Sequence, residues 1–593
     1  MNPNKYSAAI GDSPINNLFP NQARGWIIRL LSTSLLLRYV RAGAIIIVLS
    51  TNSFAAAPLD SELQHDSTEA TNVLTYGMGY NAQRFSTLAQ IDKTNVATLQ
   101  PVWALGLEND AGEVGQPVVM DGVMFVADAK WTVAIDAVSG KQLWRSATNS
   151  SPDAAIAACC GVSNRGVALY AGLIIRGTLD AHLVALDQET GQQVWKTQVA
   201  DWKQSYTITS APLVANGVAI TGVSGADFGA RGFIDGYDPH TGNRLWRRYT
   251  TAAPDEPGGD TWTVPDAYKT GGASTWLTGS YDPVLDLVYW GTGNSGPWNP
   301  KFRGGDSLYA ASVIAVRPAT GELVWHYQFT PDDMFDYDAV SEFILAELAI
   351  EDKHHKVLVQ LNKNGFAYVI NRADGKLLTA NPYAKVNWAT HIDPKSGRPV
   401  ETSIAQSLRA GNKEILWPSS RGAKNWAHAA FNPNTGLLYA NTIHLSSTYR
   451  ISDPGRPRLG QWWIGASEFK YLYDADATHG HIEAIEPLTG KARWRVPVEQ
   501  GYNMSSIVAT ASGILFTGQA SGEFLALDAD TGEKLWQFRV SSGINSSPIT
   551  WAYGGKQFVS VQVGLGGIAA GLVAKVGGGV PRGGSVWTFA LPD

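Results

Sequence analysis

Cysteine is almost missing from this chain: 593 residues contain two, Cys159 and Cys160, side by side in "AIAACCGVSNRG". A framework of disulfide staples needs separated cysteines that close loops, so that class of protein is excluded. Thiolate metal sites space their cysteines by two or more residues, and no Cys-x-x-Cys-His run is present to attach a haem. Across one trans peptide the Cα atoms stand about 3.8 Å apart, below the ~4.4 Å lower end of common disulfides. The pair is therefore two free thiols that touch, or a small stiff ring. Charge is also sparse. Only 17% of residues are charged, the net charge is −6 and no basic tract occurs, which excludes a nucleic-acid partner. Helical periodicity is scarce and no glycine-rich fingerprint opens a helix, so a Rossmann-type dinucleotide domain is excluded. After Leu49 no segment is long and apolar enough to span a membrane.

The N-terminus reads as an export signal. Arg24, Arg29, Arg38 and Arg41 precede an apolar run from Ala42 to Leu49, and small residues follow at Ala55 to Ala57. We expect residues 1–57 to be a signal peptide with an over-long start, and 58–593 to form a single domain in the periplasm. An oxidising compartment would let Cys159 and Cys160 exist as a disulfide.

Glycine and tryptophan are plentiful, with 61 and 21 residues spread along the chain. They fall in a recurring turn: "DAVSGKQLW", "DQETGQQVW", "DPHTGNRLW", "RPATGELVW", "EPLTGKARW" and "DADTGEKLW", with weaker copies "NRADGKLL" and "NPNTGLLY". Eight glycines anchor the set: Gly140, Gly191, Gly242, Gly321, Gly375, Gly436, Gly490 and Gly532. Trp144, Trp195 and Trp246 are spaced 51 residues apart. Asp and Thr hydrogen-bond a tight turn, Gly supplies its positive φ, and Trp is left to pack into the neighbouring unit. A period near 50 residues with about four strands per unit predicts an all-β, eight-bladed β-propeller with tryptophan-docking turns. The strand in "GGSVWTFALP" at the C-terminus is available to complete a blade.

Several local motifs are more specific than the repeat: "CCGVSNRG", "YTITSAP", "SGADFGARG", "GTGNSGPWNP", "TPDDMFDYDAV", "NKNGFAYVINR", "NWATHID" and "AKNW". With the repeated turn, they make the chain resemble the quinoprotein alcohol dehydrogenases of the methanol and ethanol dehydrogenase large-subunit type. The resemblance runs from "YGMGYNAQRFSTLAQI" to "GGSVWTFALP". It implies a pyrroloquinoline quinone (PQQ) cofactor at the propeller axis. Cys159 and Cys160 would form a vicinal disulfide against one face of the quinone and Trp276 would cover the other. Arg165, Thr209, Ser224, Gly225, Ala226, Lys363 and Asn425 would contact its rim. The resemblance also implies one hard cation, Ca2+ or a lanthanide, held by Asp227, Asn294, Asp336 and Asp338. Asp336 would be the catalytic base. Asp338 stands where an extra aspartate marks the lanthanide-dependent members.

The chain departs from the family pattern at three places. Asp227 replaces a usual Glu and is one methylene shorter. Val114 stands where a Glu is usual, with Glu113 one residue off. Met504 replaces a pocket tryptophan, which implies an alcohol bulkier than methanol or ethanol. The implied partners are a small-molecule alcohol and, since no haem motif is present, a separate cytochrome c that takes the electrons; a homodimer is compatible. Oxidation of a polyol, an aldehyde or a polymer alcohol is one alternative. A catalytically decayed propeller scaffold is the other.

Overall fold

The computed structural model describes residues 59–473, 478–498, 501–567 and 579–593. The expected signal peptide lies outside the described residues. Strands dominate, and short α-helices lie at Asp60–His65 and Ser403–Arg409. No described helix is long and apolar enough to cross a membrane.

Among the described residues, eight sheets have four or more strands, with two smaller sheets besides. The first is built in chain order from Val118–Met120, Val123–Ala127, Trp131–Asp136 and Gln142–Ala147. The second repeats the pattern from Ala168–Tyr170 to Gln193–Gln198, and the third from Leu213–Ala215 to Arg244–Tyr249. Inner strands such as His182–Asp187 are buried at four consecutive positions, on both faces. One apolar cluster joins Phe125, Ile175, Ile220 and Val288, which belong to four successive sheets. Sheets stacked face to face need apolar residues on both sides, so these strands read as runs rather than as alternation.

The repeated turn lies against a tryptophan of the preceding sheet. Asp187 Oδ1 accepts from the Thr190 amide and hydroxyl, and Gly191 takes φ +69°. Trp144 of the preceding sheet donates its ring N–H to the Gln188 carbonyl at 3.1 Å. A side-chain carbon on Gly191 would fall 2.5 Å from that ring, so only glycine lets the two close up. Trp195 meets Pro239 and Gly242 in the same way, Trp246 meets Pro318 and Gly321, and Trp494 meets Ala529 and Gly532.

The eight turn glycines do not mark eight sheets. Gly436 lies between Ala430–Asn432 and Leu437–Ile443, in the same sheet whose next turn holds Gly490. The eighth sheet carries no copy. It is made of Ile549–Tyr553, Lys556–Val563 and Ser585–Ala590, and its outer strand is Gln100–Gly106 from the other end of the chain. Trp103 in that strand makes the corresponding contact, donating its ring N–H to the Ala137 carbonyl at 2.8 Å.

Candidate functional site

Nearly every residue singled out in the sequence lies in one of two kinds of segment: before the first strand of a sheet, or after its second. Arg165 precedes Ala168–Tyr170, Thr209 precedes Leu213–Ala215, and Trp276 precedes Ser280–Asp282. Asp336 and Asp338 precede Ile344–Ile350, and Asn425 precedes Ala430–Asn432. Ser224 to Asp227 follow Val218–Gly222, Asn294 follows Leu287–Gly291, and Lys363 follows Lys353–Leu361. In an antiparallel sheet the start of strand one and the end of strand two share an edge, so these loops emerge at one end.

The acidic half of the site is closely linked. Lys363 Nζ lies 3.1 Å from Asp336 Oδ1 and 3.0 Å from Asp338 Oδ2. Asp338 Oδ1 accepts from the Asn294 amide at 3.0 Å and faces the Trp276 ring N–H at 3.5 Å. Asp227 Oδ1 accepts from the Asn294 side chain at 3.0 Å and from the Trp298 ring N–H at 3.1 Å. Burial pushes the Asp336 carboxyl well above its usual range; Lys363 opposes this, and the neighbouring Asp338 and Asp227 charges add to it. Burial and the Asp338 charge raise Asp227 as well. Desolvation works against the Lys363 ammonium, but Asp336 and Asp338 outweigh it and hold the lysine charged.

The basic and aromatic half joins at Trp276. Arg165 lies with its guanidinium 5.1 Å from the Trp276 ring and 4.8 Å from the Trp426 ring. It donates to Thr209 Oγ1 at 2.7 Å, and Thr209 Oγ1 is 3.3 Å from Ser224 Oγ. Burial lowers the Arg165 guanidinium to about 10. Gly225 takes φ +124°, and a side-chain carbon there would fall 2.2 Å from the Ser205 carbonyl. Ala226 opens the short 3-10 turn Ala226–Phe228 that carries Asp227.

Cys159 and Cys160 form a disulfide across 3.8 Å of Cα separation, on an exposed loop. The Cys160 carbonyl abuts Gly567, where a side-chain carbon would fall 2.4 Å away. Asn425 is occupied within its own loop: it donates to the Arg421 carbonyl and accepts from the Trp426 amide. Val114 and Met504 both pack with Trp276 in one apolar group with Leu277, Val340 and Trp426. Glu113 is held by Asn109 at 2.8 Å and Gln562 at 3.1 Å, while Val114 takes the place beside Trp276. Sequence reasoning missed Trp298 and Trp426. Both stand inside quoted motifs, "GNSGPWNP" and "AKNW", and their tryptophans were the available signal.

The side chains fit the groups the resemblance implies. Two carboxylates, Asp336 and Asp338, contact a single ammonium, and Asp227 lies within electrostatic reach of Asp338 and of that ammonium; the mutual repulsion of the carboxylates is what an oxygen-seeking cation relieves. The donor atoms are not gathered tightly: among the described residues the group of three metal-ligating side chains within 4.8 Å is His444, His481 and Glu483. On the basic side, Arg165 Nε is buried without a hydrogen-bond partner, a donor that suits an anionic cofactor.

The fold and site define an oxidoreductase of the quinoprotein class. The sequence family described as "PQQ: Glucose/ethanol/alcohol dehydrogenase, beta-propeller domain" matches residues 74–390, and the chain belongs to it. A second family, "Outer membrane protein assembly factor BamB", matches residues 478–560. The quinohemoprotein alcohol dehydrogenase ADH IIB of Pseudomonas putida is 40% identical over 84% of this chain and 74% of its own length. The quinoprotein alcohol dehydrogenase PedH of Pseudomonas putida is 38% identical over 93% of this chain and 96% of its own. A solved europium-containing methanol dehydrogenase superposes with a TM-score of 0.85 at 34% identity, covering 90% of this chain and all of that one (100%).

Proposed function

We propose that this chain is a periplasmic PQQ-dependent dehydrogenase that oxidises an alcohol to an aldehyde or ketone and passes the electrons to a cytochrome c. The eight larger sheets are read as eight blades, closed into a ring by Gln100–Gly106 on Ser585–Ala590 and docked through the turn tryptophans. The observation that carries the activity is the Lys363 bridge between Asp336 and Asp338, at the end of the sheets that also carries Arg165 and Trp276.

PQQ would be held by the Cys159–Cys160 ring, Trp276, Arg165, Thr209, Ser224, Gly225, Ala226, Lys363 and Asn425, with a Ca2+ or lanthanide ion on Asp227, Asn294, Asp336 and Asp338. Together they would supply a hydride-accepting carbonyl polarised by a Lewis acid. The chain's own residues handle the proton and the geometry. Asp336 receives the alcohol hydroxyl proton at a carboxylate oxygen. Lys363 fixes the orientation of that carboxylate through its 3.1 Å contact. Asn294 and Trp298 hold Asp227, so a shortened carboxylate keeps a defined direction. Met504, Trp276 and Val114 present an apolar wall that excludes water from the alcohol carbon.

The test is reconstitution of the full chain with PQQ plus calcium, PQQ plus lanthanum, or PQQ alone, followed by dye-linked oxidation of an alcohol panel. Turnover that needs both quinone and metal, and that disappears in Asp336→Asn, supports the reading. A folded protein inactive in every arm contradicts it.

A further inference from the structure

The loop from Ser419 to Trp426 carries a group that the reaction above does not use. Gly422 packs so closely on Lys363 that a side-chain carbon there would fall 2.0 Å from Lys363 Cγ. The next residue, Ala423, donates its amide to the Lys363 carbonyl at 3.0 Å. Arg421 is thereby fixed beside the lysine that holds Asp336. Its guanidinium lies over the Tyr471 ring at 5.1 Å and within electrostatic reach of Asp336 and Tyr502. Tyr471 is itself pinned by Ser420, oxygen to oxygen, at 2.9 Å.

Two donors at this spot are left over. Arg421 Nε is buried without a hydrogen-bond partner, and so is the hydroxyl of Tyr502, which packs with Tyr471 and Met504. A guanidinium can only donate, so the missing partner is an acceptor. The nearby Asp336 is already engaged by Lys363. Buried donors without partners are costly, and a planar carboxylate matches a guanidinium better than any neutral acceptor does. Met504 links this spot to the apolar group around Trp276, so an acceptor bound here belongs to the molecule whose hydroxyl reaches Asp336.

We propose that Arg421 and Tyr502 form a carboxylate-binding subsite, and that the alcohols this protein prefers are hydroxy acids, with the hydroxyl at Asp336 and the carboxylate at Arg421. This rests on the alcohol-oxidation reading. The carboxylate is a spectator: the redox step is the one already proposed, and the product is the corresponding oxo acid.

The experiment measures binding first. Butanoate and butanamide are titrated against the full-length reconstituted protein, followed by tryptophan fluorescence, in wild type, Arg421→Met, Arg421→Lys and Tyr502→Phe. Wild type should bind butanoate at least about tenfold more tightly than butanamide, the lower end of what a charge-assisted hydrogen bond carries. Arg421→Met should abolish the preference, and Arg421→Lys should keep part of it. In turnover, the ratio of kcat/KM for 4-hydroxybutanoate over 1-butanol should fall at least about tenfold in Arg421→Met. Equal binding of the two probes by wild type, or a preference that survives in Arg421→Met, overturns the subsite. Butanoate binding through Arg421 in a protein that oxidises no alcohol would overturn the oxidation reading and leave the subsite standing.

Discussion

Lys363 Nζ lies 3.0 Å from Asp338 Oδ2, and the same nitrogen is 3.1 Å from Asp336 Oδ1. The residue between the two acids, Tyr337, turns the other way and donates its hydroxyl to the Pro418 carbonyl at 2.6 Å. Asp336 takes φ +64°, in the left-handed region, and with that turn "DYD" delivers both carboxylates to Lys363 while the Tyr337 ring is buried elsewhere. Asp338 is therefore part of the acidic site and not a solvated loop residue.

Removing that carboxylate should discriminate between cations. A trivalent ion depends more on ligand charge than a divalent one. Asp338→Ala is expected to weaken lanthanide binding at least about tenfold in a terbium luminescence titration, with a smaller loss for calcium. Equal losses for both ions would show that Asp338 does not select the metal.

The vicinal disulfide should matter for quinone binding and little for the fold. Its loop is exposed, and the sheets close through other contacts. Cys159→Ser with Cys160→Ser is expected to leave the thermal midpoint within a few degrees of wild type while weakening PQQ binding at least about tenfold, the scale of a lost rigid stacking face. A variant that binds PQQ like wild type would contradict the assignment.

The turn tryptophans should carry measurable stability. Trp144→Ala removes a half-buried ring from Gly191 and a hydrogen bond to the Gln188 carbonyl. A loss of about 2–4 kcal/mol is expected in denaturant unfolding. A loss below about 0.5 kcal/mol, the range of ordinary surface substitutions, would mean that the ring is not a joint.

His428 should shape the acid limb of stability. It is buried edge-on to Tyr76, and both ring nitrogens lack partners. Burial, with the charges of Arg84, Lys424 and Arg165, holds its pKa well below the usual 6.5. The unfolded chain binds a proton there that the folded chain refuses, so stability present above pH 6.5 is lost as pH falls below it. One such group costs about 1.4 kcal/mol per pH unit. His428→Phe is expected to flatten the stability–pH curve below pH 6.5; an unchanged slope would show that the histidine titrates normally in the fold.

Much of this was legible in the sequence, because the turns are local and their chemistry is written in Asp, Thr, Gly and Trp. That the chain is all-β, built mostly of four-stranded sheets, was legible too, but not which turn belongs to which sheet. Gly436 repeats the turn spelling within a sheet that Gly490 already marks, while the eighth sheet joins strands from the two ends of the chain and spells no turn. The C-terminal strand in "GGSVWTFALP" was a local sign of it, but its pairing with Gln100–Gly106 joins residues far apart in the chain and is spelled nowhere locally. The acidic residues were recognisable one by one from their motifs. What the motifs did not say is that Lys363 ties two of them together, or that Trp298 holds Asp227. Nor did they reveal Arg421, which matters through a neighbour, Tyr502, far along the chain.

The account rests most directly on Asp336 acting as the base of an alcohol oxidation. The deciding measurement is dye-linked turnover of the reconstituted protein, with wild type beside Asp336→Asn at matched quinone and metal occupancy. The account predicts turnover in wild type only when quinone and metal are both supplied, and a drop of about 10²- to 10⁴-fold in the variant. Turnover that persists in Asp336→Asn, or that needs no quinone, would contradict it.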